Sequence, residues 1–424
     1  MLSRLSSRLQ WFLFLAICSA LLSTSTPPLT DEVGRVRRYT RQIEFDYVDW
    51  MLGAMTMKLE QGAAGLPGYL DPTARKQAVM EYLQVTKQIL DGEAALQHIY
   101  ADATVKDKQA ATATLRAQLS GEYSRQDELA PIAEAVLQEQ ITQTLAEQGL
   151  TTLGQPVPSV LFHSSPVPNA LIVSPRDVIK QIANISVVAD LPIDRQEALE
   201  ARVDKDLNVS SLVVPIGGVG VYPTMIMQTT SLSWLLDTIA HEWTHNYLNL
   251  RPLGLQYDKT PEMRTMNETT ASISGTEIGT LVLKRYYPEL AGASFAGDGL
   301  ASLPLEHPDP GTLPRPTFDF RAEMHTTRVA VDAMLAQGRI DEAEAYMKQR
   351  QQVFLRNGYL IRKLNQAYFA FYGAYADVPG GAAGEDPVGP AVRLLRQESP
   401  SLAAFINRIS WMSSFDELKQ AVKQ

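Results

Sequence analysis

Cysteine is nearly missing from this 424-residue chain, in which Cys18 is the only one. A lone thiol makes no internal disulfide, no thiolate zinc cluster and no iron–sulfur site. Histidine is scarce too, with six in all, so a cluster of them is informative. Positive charge is in deficit. Lys and Arg number 38 against 47 Asp and Glu, a formal charge of −9, and no nucleic-acid partner is expected of such a surface. Long apolar runs are also lacking. The most pronounced, Trp11–Leu22, falls short of the roughly 20 residues a bilayer-spanning helix needs and has the length of a signal-peptide core. Arg4 and Arg8 precede it and Ser23, Thr24 and Ser25 follow it. Residues 1–25 therefore read as a signal peptide or, if uncleaved, as a membrane anchor through residues 11–22. The remainder is expected to be extracytoplasmic, either secreted or tethered. Its 45% hydrophobic content excludes disorder and collagen-like repetition.

Three regions follow the leader. Residues 36–150 carry apolar residues at helical spacing in segments near 38–61, 72–100, 105–119 and 124–147. From 151 the pattern changes to short β-branched runs: PSVLFH (158–163), NALIVS (169–174), NISVVADL (184–191), SSLVVPIG (210–217) and VGVYPTMIM (219–227). One helix near 194–206 interrupts them. Helices return near 231–250, 267–286, 318–337, 340–357 and 359–376, with two more towards the C-terminus, and a Gly/Pro-rich loop spans 379–390. The expected organisation is a helical region (36–150), an α+β core with a small mixed or antiparallel sheet (151–290) and a helical C-terminal region completing a cleft (291–424).

The chemistry concentrates at His241-Glu242-Trp243-Thr244-His245. Leu232, Leu236, Ile239, Trp243, Tyr247 and Leu250 form an apolar stripe that makes this segment helical. Spacing of i,i+4 then puts both imidazoles on one face, within reach of one cation. Glu242 is rotated by about 100° from His241, near that cation without being a natural ligand, where a general base belongs. A catalytic zinc needs a third protein ligand. Glu268 is the leading candidate, because residues 246–267 are long enough to turn the chain back and because Ala271, Gly275 and Gly279 share its helical face. Small residues there let two helices approach closely. Glu277 is the second choice, and an ordinary helix-start acid is the plainer account of Glu268.

HEWTH followed by Asn267-Glu268-Thr269-Thr270-Ala271 resembles the gluzincin branch of zinc metallopeptidases, which includes thermolysin-like and M1 aminopeptidase-like enzymes. The resemblance spans about residues 210–285. It implies a zincin-like core, one Zn²⁺ on His241, His245 and Glu268, and Glu242 as the base that activates water. It also implies an edge strand at VGVYPTMIM holding extended peptide, and an oxyanion donor further along. His325 in RAEMHTTR is the first candidate donor, with Tyr372 or Tyr368 in NQAYFAFYGAY as alternatives. Two features depart from the family. Ser272 stands where thermolysin-like enzymes have an acid, with Asp237 a candidate substitute, and GGVGVYPTMIM lacks the glutamate that captures a substrate amino terminus in M1 enzymes. His98, His163 and His307 show no partner pattern. The expected function is zinc-dependent hydrolysis of peptide or protein substrates. The alternative is a non-catalytic cell-envelope protein with a zincin-like fold that binds zinc or serves as a scaffold.

Overall fold

The computed structural model describes residues 31–101, 106–189, 191–290, 318–359, 361–373 and 387–422. The leader with Cys18, His307 and most of the Gly/Pro-rich stretch lie outside them. Among the described residues no helix is long and apolar enough to cross a membrane. The expectation of a transmembrane helix is corrected accordingly, and Trp11–Leu22, on which it rested, is outside the described residues. The long helices that are described carry Lys, Glu, Gln and Arg at close intervals, which a hydrocarbon layer would not accept.

The segment expected as one helix over 38–61 is two, α1 (Glu32–Thr40) and α2 (Tyr47–Ala64). The break is made by pairing to a strand far along the chain: Glu44 bridges Val187, and Phe45 N donates to Ser186 O at 3.0 Å. Asp46 then restarts the helix, its carboxylate accepting from Val48 N and Asp49 N. Conversely, the two helices expected at 105–119 and 124–147 are one. After α3 (Pro72–Ala101), α4 runs unbroken over Lys108–Glu147, a rod about 60 Å long. Gly92 of α3 explains part of this, since a Cβ there would lie 2.7 Å from Leu119 Cδ2. The two helices stay in contact on both sides of the gap between the two expected segments, with Arg125 on Glu81 and Gln126 on Thr86 beyond it.

Next come β1 (Phe162–Ser164), β2 (Asn169–Pro175), β3 (Ala183–Val187), α5 (Ile193–Leu207), β4 (Val209–Pro215), β5 (Gly218–Val219) and β6 (Thr224–Ile226). They form two three-stranded sheets, antiparallel β3-β2-β4 and mixed β1-β6-β5. VGVYPTMIM, read as one edge strand, divides into β5 and β6, which pair antiparallel with each other. The β3-β2-β4 sheet is covered on both faces, which explains its continuous apolar runs. Ala170, Ile172, Leu212 and Val214 meet the helices of the C-terminal region, while Leu171, Val173, Val213 and Ile185 meet α5 and Val36 of α1.

The rest is helical. α6 (Leu232–Leu248), α7 (Pro252–Leu255) and α8 (Pro261–Tyr286) are followed by α9 (Phe320–Ala336), α10 (Ile340–Arg356), α11 (Gln366–Tyr372), α12 (Val388–Glu398), α13 (Leu402–Ile409) and α14 (Phe415–Ala421). The helix expected over 359–376 shortens to α11, capped by Asn365, whose Oδ1 accepts from Tyr368 N at 2.9 Å. α4, α6, α8 and α12–α14 share one core built on residues such as Ile141, Leu236, Ile278 and Phe405. The fold is thus mixed α+β, with the sheets small and the helices dominant.

One buried polar hub ties the N-terminal helices to β1. Glu134 of α4 accepts from Lys58 Nζ of α2 and Ser164 N (2.9 Å) and pairs with His163 Nδ1 (3.0 Å). His163 therefore has a structural partner that its sequence neighbourhood did not reveal. Burial alone would raise the Glu134 pKa from 4.5, but Lys58 and His163 beside it hold the carboxyl ionised and below that value. Glu134→Ala is expected to cost about 3–5 kcal/mol, because it strands a buried ammonium. Urea unfolding checks this, and a loss below about 1 kcal/mol would show that the hub does not hold the fold.

Candidate metal centre

Helix α6 starts at Ser231, whose hydroxyl accepts from Trp234 N (3.3 Å), and it is buried on nearly every side. His241 and His245 lie one turn apart on it, with their Nε2 atoms 3.0 Å from each other. Glu268 of α8 faces them, its Oε2 at 3.6 Å from His241 Nε2 and 3.5 Å from His245 Nε2. The three donor atoms lie within 4.8 Å of one another. The plainer reading of Glu268 as a helix-start acid fails here, because α8 begins at Pro261, capped by the Thr260 hydroxyl. Glu268 sits two turns in, beyond the reach of the helix-terminal dipole.

The small residues on α8 explain how the carboxylate gets there. A Cβ at Gly275 would lie 2.3 Å from Asp237 Oδ1, 2.8 Å from Asp237 O and 3.1 Å from His241 Cβ. At Gly279 it would lie 2.9 Å from Asp237 N. Ala271 is fully buried on the same stripe, and the Thr244 hydroxyl donates to Ser274 Oγ at 2.8 Å across the contact. The helices therefore meet backbone to backbone beside the histidines.

Hydrogen bonds orient the donors. His245 Nδ1 donates to Asn267 Oδ1 (2.7 Å), which leaves the Nε2 lone pair towards Glu268. Tyr257 donates its hydroxyl to Glu268 Oε1. Glu268 Oε2 is buried and has no hydrogen-bond partner. A buried carboxylate oxygen without a hydrogen-bond partner, facing two imidazole nitrogens, is a donor set that could hold a cation, and two nitrogens with one oxygen would suit zinc. The electrostatics agree. Burial raises the Glu268 pKa, yet the two histidines overcome this and keep it well below the usual carboxylate range. Burial lowers His241. Burial would lower His245 also, but Glu268 carries it up to about 9. In the absence of a cation, His245 carries the positive charge that compensates the buried carboxylate. If the group holds zinc, Asn267→Leu is expected to weaken that binding about 10–100-fold through the lost ring orientation. Competition with a chromophoric chelator measures this, and unchanged affinity would deny Asn267 its orienting part.

A cavity of about 270 Å³ opens beside these residues. Glu242 lines it, and burial, with Glu268 adding to it, pushes its carboxyl up to about 7. The Gly217–Gly220 backbone passes directly over it. A Cβ at Gly218 would lie 2.7 Å from Glu242 Oε1, and one at Gly220 would lie 3.3 Å from His245 Cβ. The far wall is polar: Asn184 and Ser186 of β3 share it with Tyr47 of α2, whose hydroxyl donates to Ser186 Oγ at 2.7 Å. Phe371 of α11 and Arg264 of α8 complete it.

Of the residues singled out in the sequence, His241, Glu242, His245 and Glu268 are brought together, and His325, Tyr368, Tyr372 and Glu277 are not. His325 lies half-buried on α9 and Tyr372 is half-buried against the helical cluster beside Tyr368, and neither lines the cavity. The residue of α11 that reaches the cavity is Phe371. Glu277 pairs with Arg396 (2.7 Å) away from the histidines. Asp237 abuts Gly275 and Gly279 and accepts from the Thr276 hydroxyl at 3.4 Å. Tyr47, Tyr257, Asn267 and Arg264 were not singled out for their own part in the site. Only Asn267 had a local signal, its place beside Glu268, whereas the others come from elements whose approach no local pattern records. No protein-family model, curated protein or solved structure matches the chain.

Proposed function

We propose that the chain is an extracytoplasmic zinc-dependent peptidase with a zincin-like core, similar in its site to the gluzincins. The observation that carries this reading is the convergence of two imidazole Nε2 atoms on a buried, partnerless carboxylate oxygen at the wall of a cavity that Glu242 also lines. His241, His245 and Glu268 would hold the ion. When bound there, zinc supplies a Lewis acid that acidifies water and offsets charge developing on a carbonyl oxygen.

The chain's own residues do the rest. Glu242 is the base. Its burial tunes the carboxylate towards neutral pH, where a group both accepts and returns a proton. The Gly217–Gly220 backbone, on the open edge of the β1-β6-β5 sheet, lies against Glu242. It is placed to pair with an extended peptide and present its carbonyl to the base. Tyr47 and Tyr257 are the phenols lining the cavity, and either would stabilise an oxyanion by turning its O–H from its present acceptor, Ser186 or Glu268, towards the substrate. A purely structural zinc would normally be closed by four protein ligands, whereas three donors beside a cavity suit catalysis.

The test is digestion of a mixed peptide pool by the purified protein, with products mapped by mass spectrometry. Cleavage should stop with a chelator and return with stoichiometric zinc. Glu268→Ala should lose both activity and bound zinc. Cleavage that survives exhaustive metal removal would sink the proposal, and full zinc content in Glu268→Ala would refute the ligand assignment.

A further inference from the structure

Arg264 stands where two cavities meet. The second, about 310 Å³, shares Gln181, Tyr257 and Arg264 with the cavity that holds Glu242. Arg264 is one turn before Glu268 on α8. Its Nη2 is anchored on the Ala370 carbonyl of α11, and its buried Nε has no partner. Among the described residues no carboxylate forms an ion pair with it. Arg264 is also, among the described residues, the one Lys or Arg lining the first cavity. The second cavity is lined, among the described residues, by four cations, Lys180, Lys259, Arg264 and Arg328, and two carboxylates, Asp258 and Glu262.

A partly buried guanidinium with unspent donors and, among the described residues, no carboxylate paired with it is costly unless something anionic joins it. Its planar fork fits a carboxylate better than any other common anion of peptides. We propose that the second cavity is a carboxylate-binding subsite anchored by Arg264, which selects peptides bearing a carboxylate close to the cleaved bond. One helical turn separates Arg264 from Glu268, ~6 Å along the axis, about the span of two extended residues. The carboxylate thus falls within about two residues of the bond attacked beside Glu242. It comes either from a free C-terminus or from an acidic side chain. This inference rests on the peptidase reading but is tested by binding, so the two fail in different ways.

The experiment is calorimetric titration of the zinc-loaded Glu242→Gln protein, which binds peptide without turning it over. Two ligand pairs are compared: Ala-Ala-Ala as free acid and as amide, and the amides of Ala-Ala-Glu and Ala-Ala-Gln. At least one carboxylate-bearing member should bind about tenfold or more tightly than its neutral twin. A preference within the first pair identifies the C-terminus, and one within the second identifies the side chain. Adding Arg264→Gln should erase the preference, while Arg264→Lys should keep part of it. Equal affinity within both pairs, or no binding by any of the four, overturns the subsite. A preference that survives in Arg264→Gln overturns Arg264 as its anchor. If Arg264→Gln does not fold, the ligand pairs on the Arg264-bearing protein and on Arg264→Lys decide. Failure of the peptidase reading looks different: no cleavage by the parent protein, with the carboxylate preference intact.

Discussion

Glu242→Gln is expected to cut peptide hydrolysis by about 10²–10⁴-fold while leaving zinc stoichiometry and fold intact. The substitution keeps shape and volume, which matters because Gly218 leaves no spare room over the carboxylate. What it removes is the ability to take a proton. Glu242 contributes no donor atom to the group formed by His241, His245 and Glu268, so the ion should stay. A stability signature separates this variant from a merely damaged one. In the parent the folded-state pKa is raised from 4.5 to about 7, so the folded chain keeps a proton that the unfolded chain releases. That contribution is fully present below 4.5 and is lost as pH rises to about 7. The chelated Gln variant should therefore lose less stability than the chelated parent between pH 4.5 and 7, read by urea unfolding at each pH. Full hydrolytic activity in Glu242→Gln would end the assignment of this residue as the base.

Gly275→Val should abolish tight zinc binding without touching a ligand. A Cβ at this position would fall 2.3 Å from Asp237 Oδ1, 2.8 Å from Asp237 O and 3.1 Å from His241 Cβ. The carboxylate tip can swing aside, but the backbone oxygen and the histidine's own Cβ cannot move without moving α6. The helices must separate, at an overpacking cost of about 1–3 kcal/mol. His241 and His245 are on one helix and Glu268 is on the other, and a cation site tolerates only about 0.2 Å of ligand displacement. At least a tenfold loss of affinity is expected, of the size seen when ligand orientation is lost. Gly121→Ala, where an added Cβ meets nothing within 4 Å in α4, serves as the control and should be neutral or slightly stabilising. Parent-like zinc affinity in Gly275→Val would mean that the close approach of α6 and α8 is not what builds the site.

What the sequence determined by itself is what short-range periodicity can encode. The 3.6-residue repeat of Leu232, Leu236, Ile239 and Trp243 makes α6 a helix, and the i,i+4 spacing then fixes both imidazoles on one side of it. The same logic put Ala271, Gly275 and Gly279 on the face of Glu268, so the close approach of α6 and α8 was legible before any coordinates. The β-branched runs at 169–174 and 210–217 became β2 and β4 because alternating or continuous apolar strands also need only local information. Tertiary structure decided the rest. The break between α1 and α2 comes from Glu44 and Phe45 pairing with residues of β3, and the unbroken length of α4 from its contact with α3. Glu134 holds Lys58 and His163 together across three elements. The cavity takes Tyr47 from α2, Ser186 from β3, Tyr257 and Arg264 from around the start of α8 and Phe371 from α11. Each approaches because a buried face elsewhere on its element finds a partner, and no spacing within one segment records where another segment will lie. Helical phase told which side chains share one face of α6, and only packing told which others point back at them.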